Sequence, residues 1–287
     1  MEVRLDGRVL LVTGGGAGIG RAIALLAGRA GAEVAVLDRD PVRADRVADE
    51  VAALGRRALG LAVDVRESAA LAEAVARAAD HFGRLDVLVN NAGGTVPRSF
   101  LAQSERAWRR TIDLNLTSAL CATAAAVSHI AASGGGAVLN VASIEGLRAA
   151  PGYAVYGACK AALIQLTRTW ALEFAGLGVR VNAIAPDFVL TPGTVGEESP
   201  ADPADWCAAH PDAARRIARR IPLGRPGSAE ECARVALFLV SPAAAYLNGV
   251  VVPVDGGTWA SGGWLRDGRG GWSLGGDGGG PDTRSET

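Results

Sequence analysis

The chain has 287 residues, 29 basic against 30 acidic side chains, a net charge of −1, and a hydrophobic fraction of 49 %. That composition excludes intrinsic disorder, and the charge balance excludes a basic surface built to seek nucleic acid. Length alone admits two domains, but α/β chains of this order also form a single sheet.

The N-terminal stretch Met1–Arg8 runs straight into Val9–Val12, without the charged, apolar, small-residue order of a secretion signal, so a cytoplasmic protein is expected. Apolar runs of strand length follow at 9–12, 34–37, 58–63, 87–89, 137–141, 179–184 and 250–254. Helix-length segments separate them at 19–30, 41–54, 69–82, 104–132, 154–175 and 229–239. Strands apolar on both faces and alternating with helices predict a parallel sheet of about seven strands covered on two sides. The fold class is therefore α/β, a single doubly wound Rossmann-type domain. The most apolar stretch, 116–132, is interrupted by Thr117, Ser118, Thr123, Ser128 and His129, and reads as a buried helix rather than a membrane span. Cys121, Cys159, Cys207 and Cys232 fit neither a zinc knuckle nor a short disulfide framework, so reduced thiols are expected. His81, His129 and His210 show no metal-ligand spacing, and no metal is expected.

The first strand leads into a glycine-rich string, 13–20, that opens a helix at Ile19. Gly14, Gly18 and Gly20 permit a tight turn and a close backbone approach to a pyrophosphate, which the helix N-terminus favours. Asp38 ends the second strand, where a carboxylate accepts hydrogen bonds from an adenosine ribose and repels a 2′-phosphate. NAD is expected over NADP, with the adjacent Arg39 acting against that preference.

Further along, Tyr156 and Lys160 share one face of a predicted helix. A tyrosine near pKa 10 is a poor base at neutral pH; a neighbouring ammonium favours its phenolate, and a shift to neutrality takes roughly 4 kcal/mol. Lys160 is also the only lysine among the 29 basic residues. A chain that otherwise uses arginine throughout marks this position as one needing a compact ammonium rather than a planar fork.

Taken in order, these motifs resemble the short-chain dehydrogenase/reductase family, in its short single-domain subfamily, over about residues 5 to 258. The markers are Thr13-Gly14, Gly18 and Gly20, Asp64, Asn90-Asn91-Ala92-Gly93, Asn115, Ser143, Tyr156 with Lys160, Asn182 with Pro186, and Asp255-Gly256-Gly257. The resemblance implies a catalytic set of Asn115, Ser143, Tyr156 and Lys160. In it Tyr156 is the general acid/base, Ser143 orients the substrate oxygen, Lys160 holds the nicotinamide ribose and lowers the tyrosine pKa, and Asn115 fixes a water. It also implies adenine contacts at Asp64 and Val65, a cofactor floor at Asn91, Ala92 and Gly93, and a carboxamide clamp at Pro186, Val189 and Thr191. The implied activity is NAD-dependent interconversion of a secondary alcohol and a ketone by a cytoplasmic homotetramer, with no nucleic-acid or membrane partner. The alternatives are an NADP-dependent carbonyl or 3-oxoacyl reductase and, in another class, a dinucleotide sensor without chemistry.

Departures from the family pattern fall on the substrate side. Asp187 stands where the family usually has glycine, a position where a Cβ restricts positive φ. With Glu145 it brings carboxylates toward the nicotinamide end, either to meet a polar or cationic substrate group or to pair with arginines. Tyr153 is a third candidate substrate contact. Residues 191–220, rich in proline and charge, read as a substrate lid within a domain spanning 1–260, or as a solvated loop and surface helix. Residues 261–287 form a Gly/Trp-rich tail whose glycines indicate flexibility and whose Trp264 and Trp272 indicate docking, across a subunit contact in a tetramer. Trp170 and Phe174 read as packing residues.

Overall fold

The structure is a computed structural model and describes residues 3–197, 200–266 and 271–274. Seven parallel strands form the central sheet: β1 (Val9–Thr13), β2 (Glu33–Asp38), β3 (Ala58–Ala62), β4 (Val87–Asn90), β5 (Gly136–Val141), β6 (Val179–Pro186) and, later in the chain, β9 (Val251–Val254). Their order is β3-β2-β1-β4-β5-β6-β9, as expected for a doubly wound sheet, and each lies within two residues of the apolar run that predicts it.

Alternation along each strand divides the core in two. Leu10, Val12, Val34 and Val36 face α1 (Gly18–Arg29), α2 (Pro41–Ala52) and α10 (Ala229–Val240), packing with Ile23, Val47 and Ala236. Val9, Leu11, Ala35 and Leu37 face the other way, toward α3 (Ser68–Phe82), α5 (Ser118–Ala132) and α6 (Ala154–Glu173). Consecutive residues thus bury on opposite faces, the reason these strands read as unbroken apolar runs. Trp170 and Phe174 stack at 6.1 Å in the second core, the packing role expected of them.

The helix predicted over 104–132 is three segments: α4 (Glu105–Ile112), a π-helical turn at Asp113–Thr117, and α5. By length and composition the whole run is apolar enough to cross a membrane, yet Ala122, Ala126 and Ile130 are fully buried against the sheet. Segment 191–220 contains α7 (Pro192–Val195), α8 (Pro203–Ala209) and α9 (Pro211–Arg220). Two small pairings lie outside the main sheet: β7 (Val189–Leu190) with β8 (Gly227–Ser228), and the antiparallel β10 (Trp264–Arg266) with β11 (Trp272–Leu274). In the tail, β10 lies against α9 of its own chain; the other tail residues, 267–270 and 275–287, fall outside the described residues. All four cysteines are free, as expected of reduced thiols.

Candidate active site

Strand order reverses between β1 and β4, and the crevice beyond their C-terminal ends is where such sheets take ligands. The glycine string lies there. A Cβ on Gly20 would run into the Gly14 carbonyl oxygen and the Asn91 side chain, and Gly14 sits at φ +62° against Ala92. Only glycine allows this approach of turn, helix and β4 loop. Asn91 closes the cradle, its Nδ2 donating to the Thr13 carbonyl at 2.9 Å and the Gly14 carbonyl at 3.0 Å. The Ala92 amide donates to Thr13 Oγ1 at 3.1 Å.

Asp40 and Ser228 cap α2 and α10, the helices packed beside α1, with side-chain oxygens, whereas α1, like α3 and α6, begins with no side-chain cap and no acid in its first turn, and it opens directly from the glycine turn. Its leading amides and positive dipole end are left to an external anion. A dinucleotide pyrophosphate fits that cradle.

Asp38 reaches the cradle from β2. Its Oδ2 accepts from the Gly16 amide at 2.9 Å and its Oδ1 from the Asp40 amide at 3.0 Å. It therefore braces the glycine turn as well as ending the strand. Arg39 is exposed and within electrostatic reach of Asp64, whose carboxyl is held down to about 2, chiefly by the Arg66 guanidinium bonded to it. Val65 beside it is buried. Thr191 lies over the opposite wall, its side chain in contact range of a Cβ on Gly18, while Pro186 ends β6 and Val189 starts β7.

The second cluster lies on β5, its following loop, α6 and the π turn. The extra residue of the π turn carries Asn115 inward to 1 % exposure; Oδ1 accepts from the Gly94 amide at 2.9 Å, and Nδ2 donates to the Gly94 and Thr111 carbonyls. π turns of this kind recur at functional sites because they redirect one side chain. A Cβ on Gly93 would fall 2.8 Å from Asn115 Oδ1 and 3.2 Å from Lys160 Nζ, so the floor of the crevice, Asn115 and Lys160 converge.

Lys160 is 3 % exposed, its Nζ donating to the Val141 carbonyl at 2.8 Å and lying 5.6 Å from the Tyr156 ring centroid. Ser143 interacts with the Tyr156 hydroxyl, and the 144–146 turn that follows it packs tightly on α6: a Cβ on Gly146 would lie 2.7 Å from the Lys160 backbone. Tyr153 tilts toward Tyr156 at 6.1 Å between ring centroids.

In the chain without cofactor, burial outweighs Lys160: it pushes the Tyr156 phenol up to about 12, Ser143 acts against that, and Glu145 and Tyr153 add to it. Burial likewise brings Lys160 down to about 8, weakening the cation meant to offset the loss of water. Of the two readings of the carboxylates, the structure shows the pairing with arginines. Asp187 adopts no positive φ, and both acids meet arginines: Glu145 Oε1 lies 3.3 Å from Arg148, and Asp187 Oδ1 lies 3.4 Å from Arg220 and 3.7 Å from Arg148. Burial raises the Asp187 carboxyl, with Arg220, Thr258 and Arg148 acting against it.

Arg148 and Arg220 were not marked by the sequence, since both belong to a chain full of arginine. A buried polar relay also escaped it: Asn90 Nδ2 donates to Thr123 Oγ1 and Asn140 Oδ1, and Asn140 Nδ2 donates to Thr167 Oγ1, all at 2.9 Å. It ties β4 and β5 to α5 and α6, and its signal was asparagine inside otherwise apolar strands. Among the described residues no cluster suits a metal ion, and His210 stacks on Trp206 at 4.8 Å.

Comparison with known proteins agrees with this arrangement. A family model described as enoyl-(acyl carrier protein) reductase matches residues 14–258. The chain is 37 % identical over 256 residues to the 3-oxoacyl-[acyl-carrier-protein] reductase of Thermotoga maritima, covering 89 % of this chain and 99 % of that protein. It is 37 % identical over 260 residues to 2-(S)-hydroxypropyl-CoM dehydrogenase 3 of Xanthobacter autotrophicus, covering 91 % and 100 %. The crystal structure of carveol dehydrogenase from Mycobacterium avium in complex with NAD superposes with a TM-score of 0.80 at 30 % identity, covering 90 % of this chain and 99 % of that one. The chain belongs to the short-chain dehydrogenase/reductase family of oxidoreductases.

Proposed function

We propose that the protein is an NAD-dependent oxidoreductase that interconverts a secondary alcohol and a ketone, with Tyr156 as general acid/base. The observation that carries this reading is the placing of the sole lysine, buried, between Tyr156 and the floor of the glycine-lined crevice. A nicotinamide dinucleotide held by that crevice would supply hydride transfer to or from the substrate carbon. Tyr156 Oη takes the hydroxyl proton in oxidation and gives it back in reduction. Ser143 orients the substrate oxygen, Lys160 and Asn115 bind and align on the ribose side, and the uncapped α1 amides hold the pyrophosphate. Asp64 and Val65 line the adenine side, and Pro186, Val189 and Thr191 border the carboxamide.

Asp38 supports NAD, because a carboxylate between two backbone amides at the end of β2 repels a 2′-phosphate. Exposed Arg39 beside it is the observation favouring an NADP-dependent carbonyl reductase. Segment 191–220 acts as the substrate lid. Exposed Leu172, Leu177, Leu120 and Ile112 support a homotetramer, and four free cysteines support a cytoplasmic location.

The test is initial-rate spectrophotometry of a panel of secondary alcohols with NAD and NADP, and of the matching ketones with the reduced cofactors. Turnover with NAD on one chemical class is expected, and Tyr156→Phe should lower it by about 10²–10⁴-fold with calorimetric NAD affinity retained. Wild-type-like turnover by Tyr156→Phe would remove the assigned acid/base.

A further inference from the structure

One carboxylate touches the proposed catalytic set directly. The Ser143 hydroxyl donates to Glu145 Oε2 at 2.7 Å, and the Glu145 amide returns a bond to Ser143 Oγ at 3.3 Å. From Glu145 a charged chain runs to the lid: Arg148 bridges Glu145 and Asp187, and Asp187 meets Arg220 at the end of α9. A serine hydroxyl has one proton. Given to Glu145, that proton is withheld from a phenolate and from a carbonyl oxygen, which weakens the help Ser143 gives the Tyr156 phenolate.

Resting on the acid/base reading of Tyr156, we propose that Glu145 is a positioning residue that acts through Ser143. It fixes the serine rotor and keeps Tyr156 in its proton-donating form, with Arg148 as the counter-ion that moderates it. Tyr156 faces Tyr153, Cys159 and Lys160 from its own helix and Glu145 from the loop after β5; Glu145 faces Arg148 on that loop, Asp187 after β6 and, through Asp187, Arg220 on α9. Glu145 raises the Tyr156 phenol and Arg148 is the cation paired with Glu145, so removing the carboxylate and removing its counter-ion should move Tyr156 in opposite directions. A purely structural role predicts no such opposition.

The protein contains only three tyrosines, which makes the ionisation directly readable. Tyrosine labelled with carbon-13 at Cζ, with Tyr156 assigned by its loss in Tyr156→Phe, is titrated upward from neutral pH by NMR in the cofactor-free protein. Glu145→Gln should bring phenolate on at a pH lower than wild type by at least about half a unit, and Arg148→Gln at a higher one. On whichever alcohol of the panel turns over, the rising limb of kcat against pH should move the same way in each variant, with KM changing less than kcat. Titrations of both variants that coincide with wild type, or that shift in the same direction, overturn the role of Glu145. Should Glu145→Gln fail to fold, Arg148→Gln decides alone: an upward shift supports the proposal, and none overturns it. Turnover retained by Tyr156→Phe would instead overturn the underlying acid/base reading, so the two failures are distinguishable.

Discussion

Two charged side chains are almost wholly buried at opposite ends of the same sheet. Asp86 precedes β4 at the N-terminal edge, and Lys160 lies beyond the C-terminal edge. Asp86 accepts from Arg8 Nη1 at 2.7 Å, Arg84 Nε at 2.8 Å and the Val9 amide at 2.9 Å. Burial alone would raise its carboxyl, but Arg84, the Val9 amide and Arg8 together leave it below the usual carboxylate range. Lys160 has one backbone carbonyl and, among the described residues, no ion pair, and burial holds it down to about 8. A buried charge that the chain itself compensates serves folding; one left under-compensated lowers stability and keeps its binding capacity for something else.

The strongest way to break this contrast is Lys160→Met. Turnover should fall by about 10²–10⁴-fold, while the protein becomes more stable at neutral pH. The depressed lysine pKa corresponds to about 3 kcal/mol of burial penalty on the charged form, less about 1 kcal/mol for the Val141 acceptor left behind. The sign over pH is fixed by linkage. The folded pKa lies below the unfolded one, so between about 8 and roughly 10.4 the unfolded chain binds more protons and wild-type stability rises with pH. The variant's advantage should therefore shrink across that window in urea melts. A less stable variant at neutral pH would make Lys160 a folding residue. Lys160→Arg should be nearly as inactive as Lys160→Met, because a guanidinium does not fit a cavity shaped for one ammonium.

Asp86→Asn should do the reverse, costing about 2–3 kcal/mol of stability with kcat unchanged. Here the folded pKa lies below the unfolded one for an acid, so the stabilisation is present above about 4 and is lost as pH falls through the folded value. Acid unfolding of the variant should accordingly depend less on pH than that of wild type. A loss of kcat in the folded variant would show that the N-terminal edge reports to the site.

The unequal legibility of these two ends has a physical cause. The cradle was legible because a tight turn and a close backbone approach demand glycine at Gly14 and Gly20, and the Tyr156–Lys160 pair because helical spacing is local. Asp86 was not legible: Arg8 reaches it from far away in sequence, and nothing in a single acidic residue announces burial. The π turn was hidden because one extra residue barely disturbs a 3.6-residue pattern, yet it is what turns Asn115 inward. Arg148 and Arg220 could not be separated from the other arginines, and the consequence for Glu145 and Asp187 depended on where α9 ends.

A smaller effect sharpens the cofactor side. Asp38→Ala removes both a repulsion toward a 2′-phosphate and two acceptors for the glycine turn, so NAD should bind more weakly and the NAD-to-NADP preference narrow. Parallel calorimetric titrations of both cofactors separate these parts: an unchanged ratio with weaker binding of each would leave Asp38 only as a brace and assign selectivity to Arg39.

Removal of the tail after Ala260 should have the smallest effect on folding and a selective one on the site. The tail hairpin packs Arg266 over Trp272 at 5.2 Å and lies against α9, a helix with no fully buried residue of its own. Neither polar anchor touches it, so global stability should change by less than about 1 kcal/mol. Helix α9, however, ends in Arg220, whose contact with Asp187 is the last link of the chain that reaches Ser143 through Arg148 and Glu145. Loosening α9 should therefore raise KM for the alcohol several-fold while leaving NAD affinity alone. A large loss of stability would make the hairpin part of the folding unit. Unchanged KM would mean that the α9 terminus keeps its position without the tail, and that Asp187, rather than the hairpin, holds Arg220 over the site.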